Sequence, residues 1–207
     1  MDEVFPFTVF DPWGIPIRNT VISTWAMIVL IVAAVLVLRK KMPVLLEMLI
    51  DIVEGVAKDY IKGPPDIYVP FLGSMIVFIA VANLSGILPL MATPTRDINT
   101  TLALALVSLL GVFAYGIIVK GIGGFIKGYL TPMVIFDVIG YVSRTMSLTL
   151  RLFGNVIGGE IVIAVIAKLV PVGVPLIMVA LSGITGILQA YVFTVLTASY
   201  ISSMVGD

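Results

Sequence analysis

The chemistry in this chain centres on Ser147–Glu160, SLTLRLFGNVIGGE, where an arginine stands among leucines and glycines. Arginine keeps its charge at any accessible pH. Carrying that charge to bilayer depth costs at least about 2.5–3.5 kcal/mol, so it needs a task. Nine positions on stands Glu160, and a carboxyl held away from bulk water can exchange a proton near neutral pH. Taking about 100° per residue with Arg151 at zero, Arg144 and Asp137 fall at roughly +20° and +40°. Asn155 falls at roughly +40°, Ser147 at roughly −40°, and Gly140 and Gly158 at roughly −20°. One face thus presents two arginines, an aspartate and an asparagine among small residues, which admit another backbone closely. The opposite face is aliphatic apart from Glu160, at about 180°.

No acid lies three or four positions from Arg151; Ser147, Leu148, Gly154 and Asn155 occupy those places. Glu160 is on the far face, and Asp137 is about four turns away. Further along, Ser182, Thr185 and Gln189 share one side of the last apolar stretch and are neutral. Arg151 is therefore expected to meet water or a carboxylate that a partner supplies. A salt bridge inside the bundle would need a nearby acid that the sequence does not offer. Glu160, directed at Ser182 and Gln189, would line a narrow aqueous path; the alternative is a protonated glutamate bonded to Gln189 for packing. Asn155 and Gln189 could bond across helices in either case. Asp137 and Arg144 lie nearer one membrane face, where snorkelling competes with a functional role.

The elements that must hold these groups are membrane spans. Hydrophobic residues make up 60% of the 207, charged ones 12%, against about 25% charged in soluble domains. Twelve basic and twelve acidic residues balance, so nothing points to nucleic acid. Cysteine and histidine are absent, which removes thiol nucleophiles, imidazole bases and the usual zinc ligands. No metal or cofactor is expected. Asp2 and Glu3 stand where a signal peptide would be basic, so no cleavable leader is expected.

A span needs about 20 mostly apolar residues. Val21–Leu38, Asp66–Met91 and Ile98–Val119 qualify, followed by two longer stretches, Met133–Val170 and Val172–Val205. Arg39, Lys40 and Lys41 place the loop behind the first span in the cytoplasm. Alternation then puts the N-terminus and the Thr93–Asn99 loop outside, Lys120 and Lys127 inside, the Lys168–Val174 turn outside and the C-terminus in the cytoplasm. Residues 1–42 form an N-terminal tail and first transmembrane helix, 43–65 an amphipathic segment, and 66–207 an ion-translocating core. In the segment Pro43–Gly63, Glu47, Asp51, Glu54, Lys58 and Lys62 make one helical stripe. It reads as an interfacial helix, either solvated or docked on a neighbouring subunit. Residues 131–170 and 172–205 read as a hairpin. As one helix, Met133–Val170 would measure roughly 57 Å against about 30 Å of hydrocarbon, so it must break, protrude or tilt strongly. The expected fold is an all-α membrane protein: three ordinary spans, an interfacial helix and a long, strongly tilted C-terminal helical hairpin.

SLTLRLFGN at Ser147–Asn155 resembles the arginine motif of subunit a of the rotary F-type ATP synthase. NLSGILP at Asn83–Pro89, DINTTLALAL at Asp97–Leu106, KGIGGFIKG at Lys120–Gly128 and LQAYVFTVLTASYI at Leu188–Ile201 are similar to that family too, in order. The resemblance covers about Glu47 to Tyr200. It implies that Arg151 faces a rotating ring of c subunits, with Asn155 one turn on shaping the path. It implies that Glu160 is the acid of the outer half-channel and that Gln189 approaches the arginine. Asp137 takes an acidic position of the cytoplasmic half-channel, and Asp97 begins a block near the outer entrance. Ser182 stands where some members carry a histidine that shares the outer acid's proton. The implied partners are the c-subunit ring, the peripheral-stalk subunit b, other ATP synthase subunits and the lipid bilayer. Nothing resembles a phosphate-cradling loop, so the chain makes no ATP itself. The alternative is a self-contained secondary ion transporter or channel; against it, the two halves show no similarity, and a lone arginine is a poor cation site. Proton and sodium both remain open as the ion.

Overall fold

Backbone in hydrocarbon must satisfy its own hydrogen bonds, so apolar runs of span length become helices. A computed structural model describes residues 8–10, 17–87, 93–129, 134–170 and 173–206. Its helices are α1 (Asn19–Lys41), α2 (Pro43–Tyr60), α3 (Val69–Leu84), α4 (Ile98–Tyr129), α5 (Val134–Leu169) and α6 (Val174–Val205). All but α2 are long and apolar enough, with the turn that prolongs α3, to cross a membrane. The all-α expectation describes this body. Ahead of it, the β-prone Thr8–Phe10 (β1) pairs antiparallel with Ile17–Arg18 (β2). Asp2, Glu3, Met91, Pro132, Met133, Pro171, Val172 and Asp207 lie outside the described residues.

α1 ends on Arg39, Lys40 and Lys41, cations that complement the partial negative charge of a helix C-terminus. Pro43 then opens α2 at a position that needs no N–H donor. Glu54 and Lys58 form the expected i,i+4 ion pair at 2.6 Å, which holds the Lys58 ammonium above its usual range. The other side of α2 buries Val53, Val56 and Ala57. Asp66 falls in a single turn, Pro65–Ile67, ahead of α3, and a second turn, Ser85–Ile87, prolongs it.

The third span does not stop at Val119: helix continues to Tyr129 across a kink at Gly121. The Lys120–Gly128 block is glycine-rich, yet within it only Gly121 leaves helical geometry, with φ 73° and ψ 161°, a combination glycine tolerates and other residues resist. Of the outcomes open to the long stretch after it, break, protrusion or tilt, α5 shows no break. Its 36 residues reach about 54 Å, leaving protrusion or tilt. Gly173, at φ 87°, precedes α6, which packs back along α5.

The core sits among α3, α4, α5 and α6. Met75, Ile79, Ala105, Leu148, Leu152, Ala190 and Phe193 are buried together at its centre. A second cluster joins α2 to the bundle through Val53, Val56, Leu72, Val112, Ala198 and Ile201. α3 and α6 approach closely at two glycines. A Cβ on Gly186 would lie 2.9 Å from the Asn83 Cβ, and one on Gly183 2.9 Å from Ile87 Cδ1. The Asn83 amide donates to the Gly186 carbonyl at 2.9 Å. The Thr95 hydroxyl donates to Asn83 Oδ1 at 2.8 Å, and Ser108 bonds Thr197 at 2.8 Å. Such bonds average about 0.6 kcal/mol in membranes, so they set register more than they add stability.

Candidate functional site

α5 turns two different faces to its surroundings. Thr145, Leu148, Thr149, Leu152 and Val156 recur at three- and four-residue spacing and are buried, which fixes this side against the bundle. The two threonine hydroxyls donate back to the Tyr141 and Thr145 carbonyls, so the buried face carries no unmet hydroxyl. That packing directs Arg151 outward. Its side chain is exposed, as are Ser147, Gly154 and Gly158 beside it. A Cβ added at Gly140, Gly154 or Gly158 would meet nothing within 4 Å. Among the described residues, no carboxylate pairs with Arg151. On α6, Ile184, Ile187, Leu188 and Tyr191 are also exposed. The outcome is one cation on an apolar, small-residue surface.

Glu160 points the other way, as the half-turn offset from Arg151 requires. It is partly buried in a cavity of about 40 Å³, whose polar lining is Asn83, Thr93, Asn155, Glu160 and Ser182. The Thr93 hydroxyl hydrogen-bonds the carboxylate, and Arg96 Nη1 stands 4.0 Å from Glu160 Oε2. Gly86 keeps one wall open: a Cβ there would collide with Thr93 Oγ1 and lie 3.8 Å from Glu160 Oε1. Across the hairpin, a Cβ on Gly159 would lie 3.1 Å from Ser182 Oγ. Glu160 and Ser182 thus line one cavity, together with Asn155, which a helical wheel puts on the Arg151 face.

Gln189 does not join them. Its Nε2 is buried with no hydrogen-bond partner among the described residues, so neither Glu160 nor Asn155 bonds it. The alternative in which Glu160 is held by Gln189 gives way to Thr93 and Arg96. Asp97 does not line the cavity either. It is buried, accepts the Thr20 hydroxyl at 3.1 Å and the Asn99 N–H at 3.0 Å, and so caps α4 while tying it to α1.

Toward the other end of α5, a cleft of about 250 Å³ is lined by Lys120, Asp137, Gly140, Arg144 and Ser203 among others. Asp137 is exposed there. The Arg144 guanidinium lies over the Tyr200 ring at 4.9 Å and near the Tyr141 ring at 6.0 Å, a cation–π arrangement directed into the bundle. Glu160 and Asp137 are roughly 35 Å apart along one helix, with Arg151 between them. Sequence reasoning missed Asn83, Thr93 and Arg96 as companions of Glu160. Only Arg96 left a signal, as one of few cations on its side of the membrane.

The model of the family described as "ATP synthase A chain" matches residues 19–202. Subunit a 2 of the ATP synthase of Acaryochloris marina is 34% identical over 209 aligned residues, covering 95% of this chain and 89% of that protein. Its counterpart in a Picosynechococcus species is 38% identical over 199, covering 90% and 85%. ATP synthase subunit a of Moorella thermoacetica is 32% identical over 215, covering 99% of both. With a match of this extent on a body of five apolar helices, the chain belongs to the ATP synthase A chain family and is an integral membrane subunit of the Fo sector, associated with other subunits of that enzyme.

Proposed function

We propose that this chain supplies two ion half-channels and the fixed positive charge that together couple transmembrane ion flow to rotation of a c-subunit ring. One observation carries the reading: Arg151 is exposed on an apolar surface with no ion-pair partner among the described residues, while polar cavities lie to either side of it along the same hairpin. The cavity at Glu160, Asn155 and Ser182 is the outer half-channel. The cleft at Asp137 and Arg144 is the cytoplasmic one. Gln189 lies on the helix beside the arginine's approach, and Asp97 holds the outer entrance in shape.

A ring carboxylate arrives loaded and meets Arg151. Direct attraction favours its ionised form, so the ion leaves into one half-channel, and the ring reloads from the other. The same charge repels cations and blocks a straight leak between the cavities. Each charge that crosses gains about 2.3 kcal/mol per 100 mV, and rotation accumulates those steps. The exposed small-residue face of α5 and the exposed apolar face of α6 fit a tilted hairpin lying against the ring. α2 fits an interfacial helix on the cytoplasmic surface, with subunit b as the neighbour of the outer helices, the N-terminus outside and the C-terminus in the cytoplasm.

Reconstitution separates this from a self-contained transporter. The isolated chain in vesicles is expected to give no sustained coupled flux, and the full membrane sector to restore it. Selective, saturable ion flux from the chain alone would contradict the proposal.

A further inference from the structure

The ion pair at Glu160 has a consequence for what can travel beside it. Arg96 is 7% exposed, sits in the turn Pro94–Arg96 and reaches within 4.0 Å of the Glu160 carboxylate. The turn is held in place: its neighbour Thr95 bonds Asn83, Asn83 bonds Gly186 on α6, and Asp97 caps α4. The turn that carries the guanidinium is thus held by a network anchored on three helices. Thr93, on the same segment, donates to the same carboxylate. Thr93 and Glu160 line a cavity of about 40 Å³, room for about three waters at the roughly 10–15 Å³ that each needs.

We propose that Arg96 is the built-in counter-charge of the outer half-channel, positioning Glu160 and restricting the path to protons. This rests on the reading of the Glu160 cavity as that half-channel. An alkali-metal cation needs several oxygen ligands in place of its hydration shell, and a fixed cation beside them repels it. Here the one carboxylate already faces a fixed cation, and room for about three waters beside it is too little for a full hydration shell. A proton needs neither. It adds to a Glu160 carboxylate oxygen from water on one side and leaves from that oxygen to water on the other, with Thr93 bonding the group in both states. Arg96 touches neither ring nor ion, so it is a positioning residue. The attraction between unlike charges restores the ionised carboxylate after each transfer.

The test uses the complete ATP synthase in vesicles, with proton pumping measured while sodium chloride or choline chloride is varied at constant ionic strength on the side facing the outer half-channel. Wild type is expected to be indifferent to sodium. Arg96→Gln is expected to pump several-fold more slowly and to become sodium-inhibited, because Glu160 is left as a bare anion. Arg96→Lys keeps the charge and is expected to stay sodium-indifferent; it also serves if the glutamine variant fails to assemble. The double variant Arg96→Gln with Glu160→Gln is expected to be sodium-indifferent again and no slower than Glu160→Gln alone, since the two residues act as one unit. Unaltered pumping and sodium response in Arg96→Gln, or sodium inhibition in Arg96→Lys, would overturn the proposal. If Glu160→Gln alone leaves pumping unchanged, the half-channel reading itself fails, a result distinct from failure of the role given to Arg96.

Discussion

Arg151→Ala is expected to abolish ATP-driven ion pumping while the membrane sector still assembles. The side chain makes no ion pair or hydrogen bond within the described residues, and it lies on the exposed face of α5, away from buried Leu148, Leu152 and Val156. Its removal takes nothing from the core. What disappears is the charge that favours an ionised carboxylate at the interface. Two unit charges about 4 Å apart at an effective dielectric of about 20 attract by about 4 kcal/mol. That amounts to nearly a thousandfold in the balance between ionised and loaded states, enough to stop coupled release. Arg151→Lys restores charge without the rigid, planar fork and is expected to recover only a minor fraction. The measurement is proton or sodium uptake by inverted vesicles, with subunit content checked on the same membranes. Coupled pumping retained in the alanine variant would remove the arginine from the mechanism.

Glu160→Gln is expected to slow ion flow by at least about tenfold, with assembly intact. Positioned proton-transfer groups commonly contribute about 10²–10⁴ in rate, and water in the cavity can replace part of that. The amide is close in shape and still accepts a hydrogen bond from Thr93. It loses the charge opposite Arg96 and the capacity to carry a proton. Flow is measured in vesicles with a diffusion potential applied, so that ATP hydrolysis does not enter. Unchanged flow would reduce Glu160 to a packing role and leave the cavity without its acid.

Much of this organisation was readable from the chain because a bilayer turns composition into geometry. Helices of α1, α3 and α6 follow from apolar runs bounded by Arg39–Lys41, Pro70 and Gly206. The opposition of Arg151 and Glu160 follows from nine residues at about 100° each. The ion pair of Glu54 and Lys58 follows from i,i+4 spacing. The unread parts are non-local or hinge on one torsion angle. Asn83 and Gly186 meet across 103 residues, and no local rule links Arg96 to Glu160. The glycine-rich Lys120–Gly128 block stays helical because only Gly121 bends. Gln189 shares a helical side with Ser182, yet the close approach of α3 at Gly183 and Gly186 gives the cavity to Asn83 and Thr93 instead.

Disulfide trapping tests most directly whether the Arg151 face meets a rotor. The chain has no cysteine, so Ser147→Cys, one turn from Arg151, introduces a single thiol. Paired with a cysteine one turn from the ring's carboxylate, it is expected to form a subunit a–subunit c disulfide under mild oxidation, and that bond is expected to block ATP-driven rotation until it is reduced. A Ser147→Cys thiol that forms no such bond, and is instead labelled freely by a lipid-soluble maleimide in the assembled complex, would contradict the account.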